Sequence, residues 1–314
     1  IGVLKSTITL SKNNLILKET KMKKKFLAVV AATVITTLAF TGCGKSSNNK
    51  DAASDKGVTG EINVISREDG SGTRGAFVEL MGIMDDKEND ITTTSAEVTN
   101  STSVMLSTVA QNEKAIGYVS LGSLSSDVKA VQVDGVDATA ENIKAGTYKV
   151  SRPFNLAYQD GKLTDLDKDF IKFIMSDEGQ KTVDKEGYIS LDSEGKYEAS
   201  GLKGKITLAG STSVAPLMDV LKDEYIKLNP DVTIEIQESG SSAGIQSAIE
   251  GATEIGMSSR ELKDDEASKL ASKQIAMDGI AVIVNKANTI TNLTSDQIKS
   301  VYIGDVTTWD DLNK

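Results

Sequence analysis

Three serine- and glycine-rich turns hold the residues of this chain best suited to chemistry: Ala209-Gly210-Ser211-Thr212-Ser213, Ser239-Gly240-Ser241-Ser242-Ala243-Gly244 and Asp69-Gly70-Ser71-Gly72-Thr73. Each stands between a strand-like run and a helix-like run. A strand that leads through such a turn into a helix presents unpaired backbone N–H groups at the positive end of the helix dipole. Hydroxyls beside them add further donors, and together they suit an oxyanion. One such turn alone is an ordinary Ser/Thr helix cap. Three in one chain, with Arg67 just ahead of one, point to a receptor that surrounds a small tetrahedral anion.

Other chemistries are poorly provided for. The chain has no histidine and one cysteine, Cys43. It therefore lacks the usual general base, the usual zinc ligand, and any Ser-His or Cys-His pair, and it can form no internal disulfide. No Gly-x4-Gly-Lys-Ser/Thr loop is present, which removes nucleotide triphosphatases. No tight acidic cluster has metal-ligand spacing. The expectation is a protein that is not an enzyme and that needs no cofactor and no metal. Formal net charge is −10 over 314 residues. Seven of the 35 basic residues but one of the 45 acidic ones fall in residues 1–43, so the remainder carries −16. That surface repels nucleic acid, and it repels a free anion at long range, so attraction must come from dipoles aimed at close quarters.

The N-terminus reads as an address. Met22-Lys23-Lys24-Lys25 precedes an apolar stretch, Phe26 to Phe40, too short for a comfortable membrane span, and Thr41-Gly42-Cys43 follows. This resembles a bacterial lipoprotein cleavage box, with Phe40 where Leu is usual. It implies a signal peptide over 22–43, cleavage before Cys43 and lipid on its thiol, which would anchor the protein at the outer face of the cell membrane. Residues 1–21 precede the expected start at Met22 and are read as a mis-assigned leader. Residues 44–59, rich in Ser, Asn, Asp, Lys and Ala, read as a flexible tether.

Beyond Gly60, strands and helices alternate. Strands are expected at Ile62–Ser66, Ala115–Ser120, Lys129–Val133, Lys205–Ala209, Val232–Gln237, Ile255–Ser258 and Ile280–Asn285. Helices are expected at Gly75–Met84, Asp165–Met175, Val214–Leu228, Ala243–Glu250 and Ser295–Tyr302. This is an α/β pattern with crossover connections, in which ligands bind at the carboxyl ends of strands. All three turns fall at such ends.

Several stretches resemble one family. They are Gly210-Ser-Thr-Ser-Val-Ala-Pro216, Glu238-Ser-Gly-Ser-Ser-Ala-Gly244, Ile255-Gly-Met-Ser-Ser-Arg260, Ser66-Arg-Glu-Asp-Gly-Ser-Gly-Thr73 and Ala115-Ile-Gly-Tyr-Val-Ser120. From about Gly60 to Lys314 the chain is similar to the phosphate-binding lipoproteins of bacterial phosphate ABC transporters, class II solute-binding proteins. The resemblance implies a two-lobed periplasmic-binding-protein-like α/β fold with a hinge and an anion site in the cleft.

The segment order differs from that family's. Gly60–Leu191 resembles its second half and Lys205–Lys314 its first, as in a circular permutation, with Asp192–Gly204 joining the old ends. Lys314 should then lie close to Gly60. One lobe would comprise 60–148 with 288–314, the other 149–287, and the crossings near Lys149–Pro153 and Lys286–Asn288 would form the hinge.

Carried over residue by residue, the resemblance places Thr212, Ser213, Ser241 and Ser259 on one side of the anion. Arg67, Ser71, Gly72 and Thr73 stand on the other, with Asp69 orienting the Arg67 guanidinium. Family members often have Asp where Ser259 stands; that carboxylate accepts the proton of hydrogen phosphate and so rejects sulfate. Here Asp69 or Glu68 would have to take that role, or sulfate is rejected less. Arg260 reads as a solvated residue or a partner of Glu261. The implied function is capture of inorganic phosphate and delivery to an ABC permease, by a monomer that touches the membrane through its lipid and binds no nucleic acid. The alternatives are a receptor for another tetrahedral oxyanion (sulfate, molybdate, tungstate) and a surface adhesion module on the same fold.

Overall fold

The computed structural model describes residues 57–312. Residues 1–21, the expected signal peptide over 22–43 with Cys43, most of the expected tether, and Lys314 lie outside that range. No helix among the described residues is long and apolar enough to cross a membrane.

The chain builds a first group of parallel strands, β1 (Asn63–Arg67), β2 (Glu97–Thr99) and β3 (Ala115–Ser120), with helices α1 (Gly72–Leu80) and α2 (Thr102–Gln111) between them. Short elements follow: β4 (Val128–Ala130), β5 (Gln132–Val133) and α3 (Ala140–Lys144). β6 (Ser151–Tyr158), α4 (Asp165–Ile174) and α5 (Asp177–Lys185) lead to a second parallel group. This consists of β7 (Gly204–Gly210), α6 (Ala215–Leu228), β8 (Val232–Glu238), α7 (Ser241–Glu250) and β9 (Ile255–Ser258). After α8 (Asp264–Ala267), the fifteen-residue β10 (Ala271–Asn285) returns through the molecule. β11 (Asn292–Leu293), α9 (Ser295–Ile303) and α10 (Trp309–Leu312) complete the order.

Local chemistry explains the elements. α4 starts in a capping box, with the Thr164 hydroxyl accepting from Asp167 N–H at 3.2 Å and the Asp167 carboxylate accepting from Thr164 N–H at 2.7 Å. Leu166, Phe170, Phe173 and Ile174 then recur at helical spacing and are buried. α6 carries Pro216 in its first turn, where the missing N–H costs nothing, and stops at Asn229-Pro230.

One sheet path runs β2-β1-β3-β10-β6-β9-β7-β8, and β10 belongs to both halves. Its first part, 271–279, is antiparallel to β6, and its second, 280–284, is antiparallel to β3. Two separate cores follow. Phe77, Tyr118, Val282, Val301, Tyr302 and Trp309 pack in one, and Phe154, Phe170, Leu208, Leu221, Tyr225 and Met257 in the other. The opposite sheet faces carry smaller clusters, one around Met105, Val109 and Ile283, the other around Ala157, Ile245 and Ala248. Each half is therefore a sheet with apolar clusters on both faces, within the two-lobed α/β fold that the sequence predicts.

The expected strand Ile280–Asn285 is the end of this longer strand. Pairing changes lobe at Gly279–Ile280, ahead of the crossing expected at Lys286–Asn288. Asp278-Gly279 reads in the sequence as a turn signal, which hides that the strand runs on unbroken from Ala271 to Asn285. Beside the switch, Arg152 of β6 donates to Asp278 of β10 through Nε (3.2 Å) and Nη2 (3.1 Å), and Ser120 of β3 donates to the other Asp278 oxygen at 2.9 Å. Both charges are fully buried. Burial pushes the Asp278 carboxyl above its ordinary range, and their mutual attraction opposes that.

The described C-terminal residues lie against the start of the body. Trp309 N–H donates to Gly60 C=O at 2.9 Å, Gly60 N–H to Asp310 Oδ2 at 2.7 Å and Ile62 N–H to Thr307 C=O at 2.8 Å. The segment before β7 is held down too. Tyr197 is buried, its hydroxyl donates to Asp169 Oδ2 at 2.6 Å, and it accepts from Asn229 Nδ2 at 2.9 Å.

Candidate anion-binding site

The carboxyl ends of the two parallel strand groups face each other, and the Ser/Thr turns meet there. β1 ends at Arg67 and the chain enters α1 through Ser71, whose hydroxyl caps the helix by accepting from Arg74 N–H at 3.3 Å. From the other lobe, β7 ends at Gly210 and the Ser211–Val214 turn precedes α6. β8 leads through Gly240 (φ 85°, a backbone conformation that glycine adopts without strain) into Ser241, the first residue of α7. β9 ends at Ser258, directly before Ser259.

Contacts between the lobes are made by the hydroxyls themselves. Thr73 Oγ1 lies 2.8 Å from Ser213 Oγ. Thr102 Oγ1, at the start of α2, lies 3.1 Å from Thr212 Oγ1 and 3.3 Å from Ser213 Oγ. Arg67 Nη2 donates to Thr212 Oγ1 at 3.0 Å and Nη1 to Thr102 Oγ1 at 3.4 Å. Ser242 N–H donates to Gly70 C=O at 3.0 Å. Gly72 faces Ser241 and Ser259 so closely that a Cβ on it would lie 2.3 and 2.6 Å from their hydroxyl oxygens. Arg67, Ser71, Thr73, Thr102, Ser211, Thr212, Ser213, Ser241 and Ser259 are all buried. The result is a buried cluster of donors around one guanidinium, where an oxyanion would exchange its water for fixed dipoles.

A model of the PBP superfamily domain matches residues 37–178 and 195–314. The chain belongs to the PBP superfamily. Phosphate-binding protein PstS 2 of Streptococcus agalactiae serotype V is 48% identical over 298 residues, which cover 93% of this chain and 99% of that protein. Phosphate-binding protein PstS 2 of Streptococcus pneumoniae serotype 4 is 44% identical over 293 residues, 92% of this chain and 99% of that one. Among solved structures, the phosphate-binding protein of a phosphate ABC transporter from Streptococcus pneumoniae TIGR4 matches with a TM-score of 0.65 at 46% identity, covering 80% of this chain and 99% of that chain. With these streptococcal relatives the chain of this PBP-superfamily member aligns nearly end to end.

Within the superfamily cleft, the structure brings together Arg67, Gly72, Thr73, Thr212, Ser213, Ser241 and Ser259, with Ser71 capping the adjoining helix. Asp69 is not among them. Its side chain is 99% exposed and pairs with Arg74 at 3.0 Å. The residue that orients Arg67 is Glu68, which accepts from Nε and Nη2 at 2.8 Å each, a planar two-bond fork. The strand ends at Arg67, so alternation no longer predicts which of the next two side chains turns inward.

Arg74 in turn donates to the Arg67 carbonyl at 2.9 Å and to Asp90 at 2.7 Å. Burial alone would lower the Arg74 pKa, and Asp90, with smaller contributions from Tyr118 and Asp69, outweighs it and raises it. Arg260 pairs with Glu266 rather than Glu261, through two 2.8 Å bonds, and also reaches Ser242 Oγ at 3.1 Å. A separate cleft of about 810 Å³ opens between α1 and the 260–264 segment, and none of the clustered hydroxyls lines it.

The hydrogen bonds around Ser259 define what it can offer. Ser211 Oγ accepts from Ser213 N–H (3.2 Å) and Val214 N–H (3.3 Å), so its own proton goes to Ser259 Oγ at 2.9 Å. Ser241 Oγ accepts Ser259 N–H at 3.1 Å and lies 3.4 Å from Ser259 Oγ. Ser259 keeps one lone pair and one rotatable proton. Thr102 and Ser211 were missed by sequence reasoning. Ser211 was visible within a quoted turn, and Thr102 lies in Ser101-Thr102-Ser103, a fourth hydroxyl-rich helix start.

Proposed function

We propose that this chain captures inorganic phosphate between its two lobes and delivers it to the membrane permease of an ABC transporter. One observation carries the reading: donors from opposite lobes converge on a single buried guanidinium, so an anion bound there contacts both bodies at once. The names of the streptococcal relatives support phosphate as that anion. Binding needs no proton transfer and no turnover, because every group in the cluster is a dipole or a permanent charge.

The lobes are assigned as 60–148 with 288–314 and as 149–287, with β10 shared between them. Their hinge lies where β6 and β10 cross, beside the Arg152–Asp278 pair. The closeness of residues 307–310 to Gly60–Ile62, with a docked connector around Tyr197, supports a permuted segment order relative to the rest of the phosphate-binding family. Export, lipid on Cys43 and a monomer anchored at the outer face of the cell membrane complete the proposal.

A second reading, a receptor for tetrahedral oxyanions in general, is favoured by Ser259. Its hydroxyl can turn its proton toward an unprotonated oxygen or toward Ser241 and accept from a protonated one. It therefore discriminates phosphate from sulfate less than a carboxylate would. Calorimetric titration of phosphate-stripped residues 44–314 with phosphate and then sulfate separates the readings. Tight phosphate binding is expected, with sulfate weaker yet measurable. Absence of heat and of competition with both anions sinks the anion site altogether.

A further inference from the structure

We propose that Thr102 is a further positioning residue of the anion site, a single hydroxyl that ties Arg67 on one lobe to Thr212 and Ser213 on the other and so governs anion release. The inference rests on the phosphate reading above and adds a residue that belongs to none of the three quoted turns.

The fold puts Thr102 there by repeating one unit. β2 lies parallel beside β1, with Arg67 opposite Thr99, and Glu68 N–H donates to Thr99 C=O at 2.9 Å. α2 therefore begins next to the start of α1, on the same edge of the lobe. Ser101 caps it by accepting from Val104 N–H at 3.2 Å, which fixes Thr102 as the first helical residue. Thr102 is 5% exposed, although α2 itself stands partly in solvent.

Its hydroxyl has three polar neighbours, and their chemistry orders the protons. The Arg67 guanidinium has donors only, so at 3.4 Å Nη1 gives its proton to Thr102 Oγ1. Thr102 must then direct its own proton away from Arg67, toward Thr212 Oγ1 at 3.1 Å or Ser213 Oγ at 3.3 Å. Both acceptors belong to the opposite lobe. Thr102 thus touches the opposite lobe only when the cleft is closed, whereas its bond to Arg67 lies within its own lobe. Of the Arg67 bonds described, Nε and one Nη2 contact go to Glu68, the other Nη2 contact crosses to Thr212, and Nη1 rests on Thr102. Removing the hydroxyl leaves that arm without its partner and removes two cross-lobe contacts together.

The consequence is kinetic. Interactions made only after closure slow dissociation and leave encounter unchanged. Stopped-flow phosphate binding to wild type, Thr102→Val and Thr102→Ser tests this, with melting curves of each. Wild type that fails to bind phosphate overturns the phosphate reading itself, independently of Thr102. With wild type binding, T102V is expected to release phosphate at least tenfold faster with association unchanged within twofold, and T102S to restore release within threefold. Release from T102V within twofold of wild type overturns the proposal. So does a loss that T102S leaves unrepaired, which would mark the methyl packing as the cause. Should T102V melt too low to assay, Thr102→Ala against T102S gives the same comparison with the same criteria.

Discussion

Arg67 and Glu68 are neighbours in sequence and also meet side chain to side chain, through two 2.8 Å bonds, with Arg67 2% and Glu68 25% exposed. The one full positive charge of the hydroxyl cluster is thus already matched by a carboxylate, so under the proposed function an anion there would be held mainly by dipoles.

Glu68 works in two directions. It aligns the guanidinium, and its charge repels an anion nearby. Glu68→Gln keeps one acceptor for the fork, sets an amide NH2 against the other N–H and removes the repulsion. Phosphate affinity is expected to rise two- to fivefold while the protein loses about 1–3 kcal/mol of stability for the broken charge-assisted bond. Asp69→Asn, at an exposed surface pair, should change affinity by less than about twofold. A tenfold loss of affinity in E68Q, by calorimetry, would show that alignment outweighs repulsion.

Gly72 reports on closure. A methyl there would press on Ser241 and Ser259, which belong to the facing lobe, at 2.3 and 2.6 Å, with Ser241 Cβ at 3.0 Å. The backbone of each lobe can fold without meeting this clash, and only the closed form feels it. Gly72→Ala is therefore expected to weaken phosphate binding by at least about tenfold, or 1.4 kcal/mol, with little change in melting temperature. Small-angle scattering should show the variant staying extended in phosphate. Unchanged affinity would mean that the lobes close with a different register.

The turns were legible because each combines a strand pattern, a Ser/Gly cluster and a helix pattern within a few residues. Ala115–Ser120 and Ile255–Ser258 fall in the structure where their apolar runs place them. Other elements gave weaker signals. β2 is three residues long, and α2 (Thr102 to Gln111) buries only Thr102, Met105 and Val109, so neither periodicity stands out, and Thr102 went unseen with them. β6 (SRPFNLAY) and the first part of β10 (ASKQIAMD) mix polar and apolar residues without a clean period of two, so only the apolar end of β10, Ile280 to Val284, stands out as a strand. The choice of Glu68 over Asp69 depends on backbone beyond the end of a strand, where no period applies.

Tyr197 tests the connector. Its ring meets Phe173 edge to face at 5.2 Å, and its hydroxyl links Asp169 to Asn229. Tyr197→Ala is expected to cost about 3–5 kcal/mol, the range for losing a buried aromatic ring. Tyr197→Phe, which removes the hydroxyl alone, should cost about 1–2 kcal/mol. Urea denaturation measures both. Costs below 0.5 kcal/mol for each would mean that the connector is an undocked loop, although its core contacts say otherwise.

The last relationship is pH-dependent. Glu266 accepts two bonds from Arg260, which also donates to Ser242, and Ser242 N–H donates across the cleft to Gly70. Burial alone would raise the Glu266 pKa. The bonds from Arg260 and from Lys263 N–H outweigh it and hold the carboxylate below its ordinary value of 4.5. A carboxylate with a depressed folded pKa adds stability above its unfolded pKa, and that stability is lost as pH falls through the folded value. The fall therefore sets in as pH approaches the ordinary value of 4.5 and ends below the folded value. Wild type should lose more melting temperature than Glu266→Gln between about pH 5 and about pH 3, and the two curves should converge at the acid end. Parallel curves would assign the acid sensitivity to other carboxylates. Divergence with E266Q the more sensitive would reverse the sign argued here.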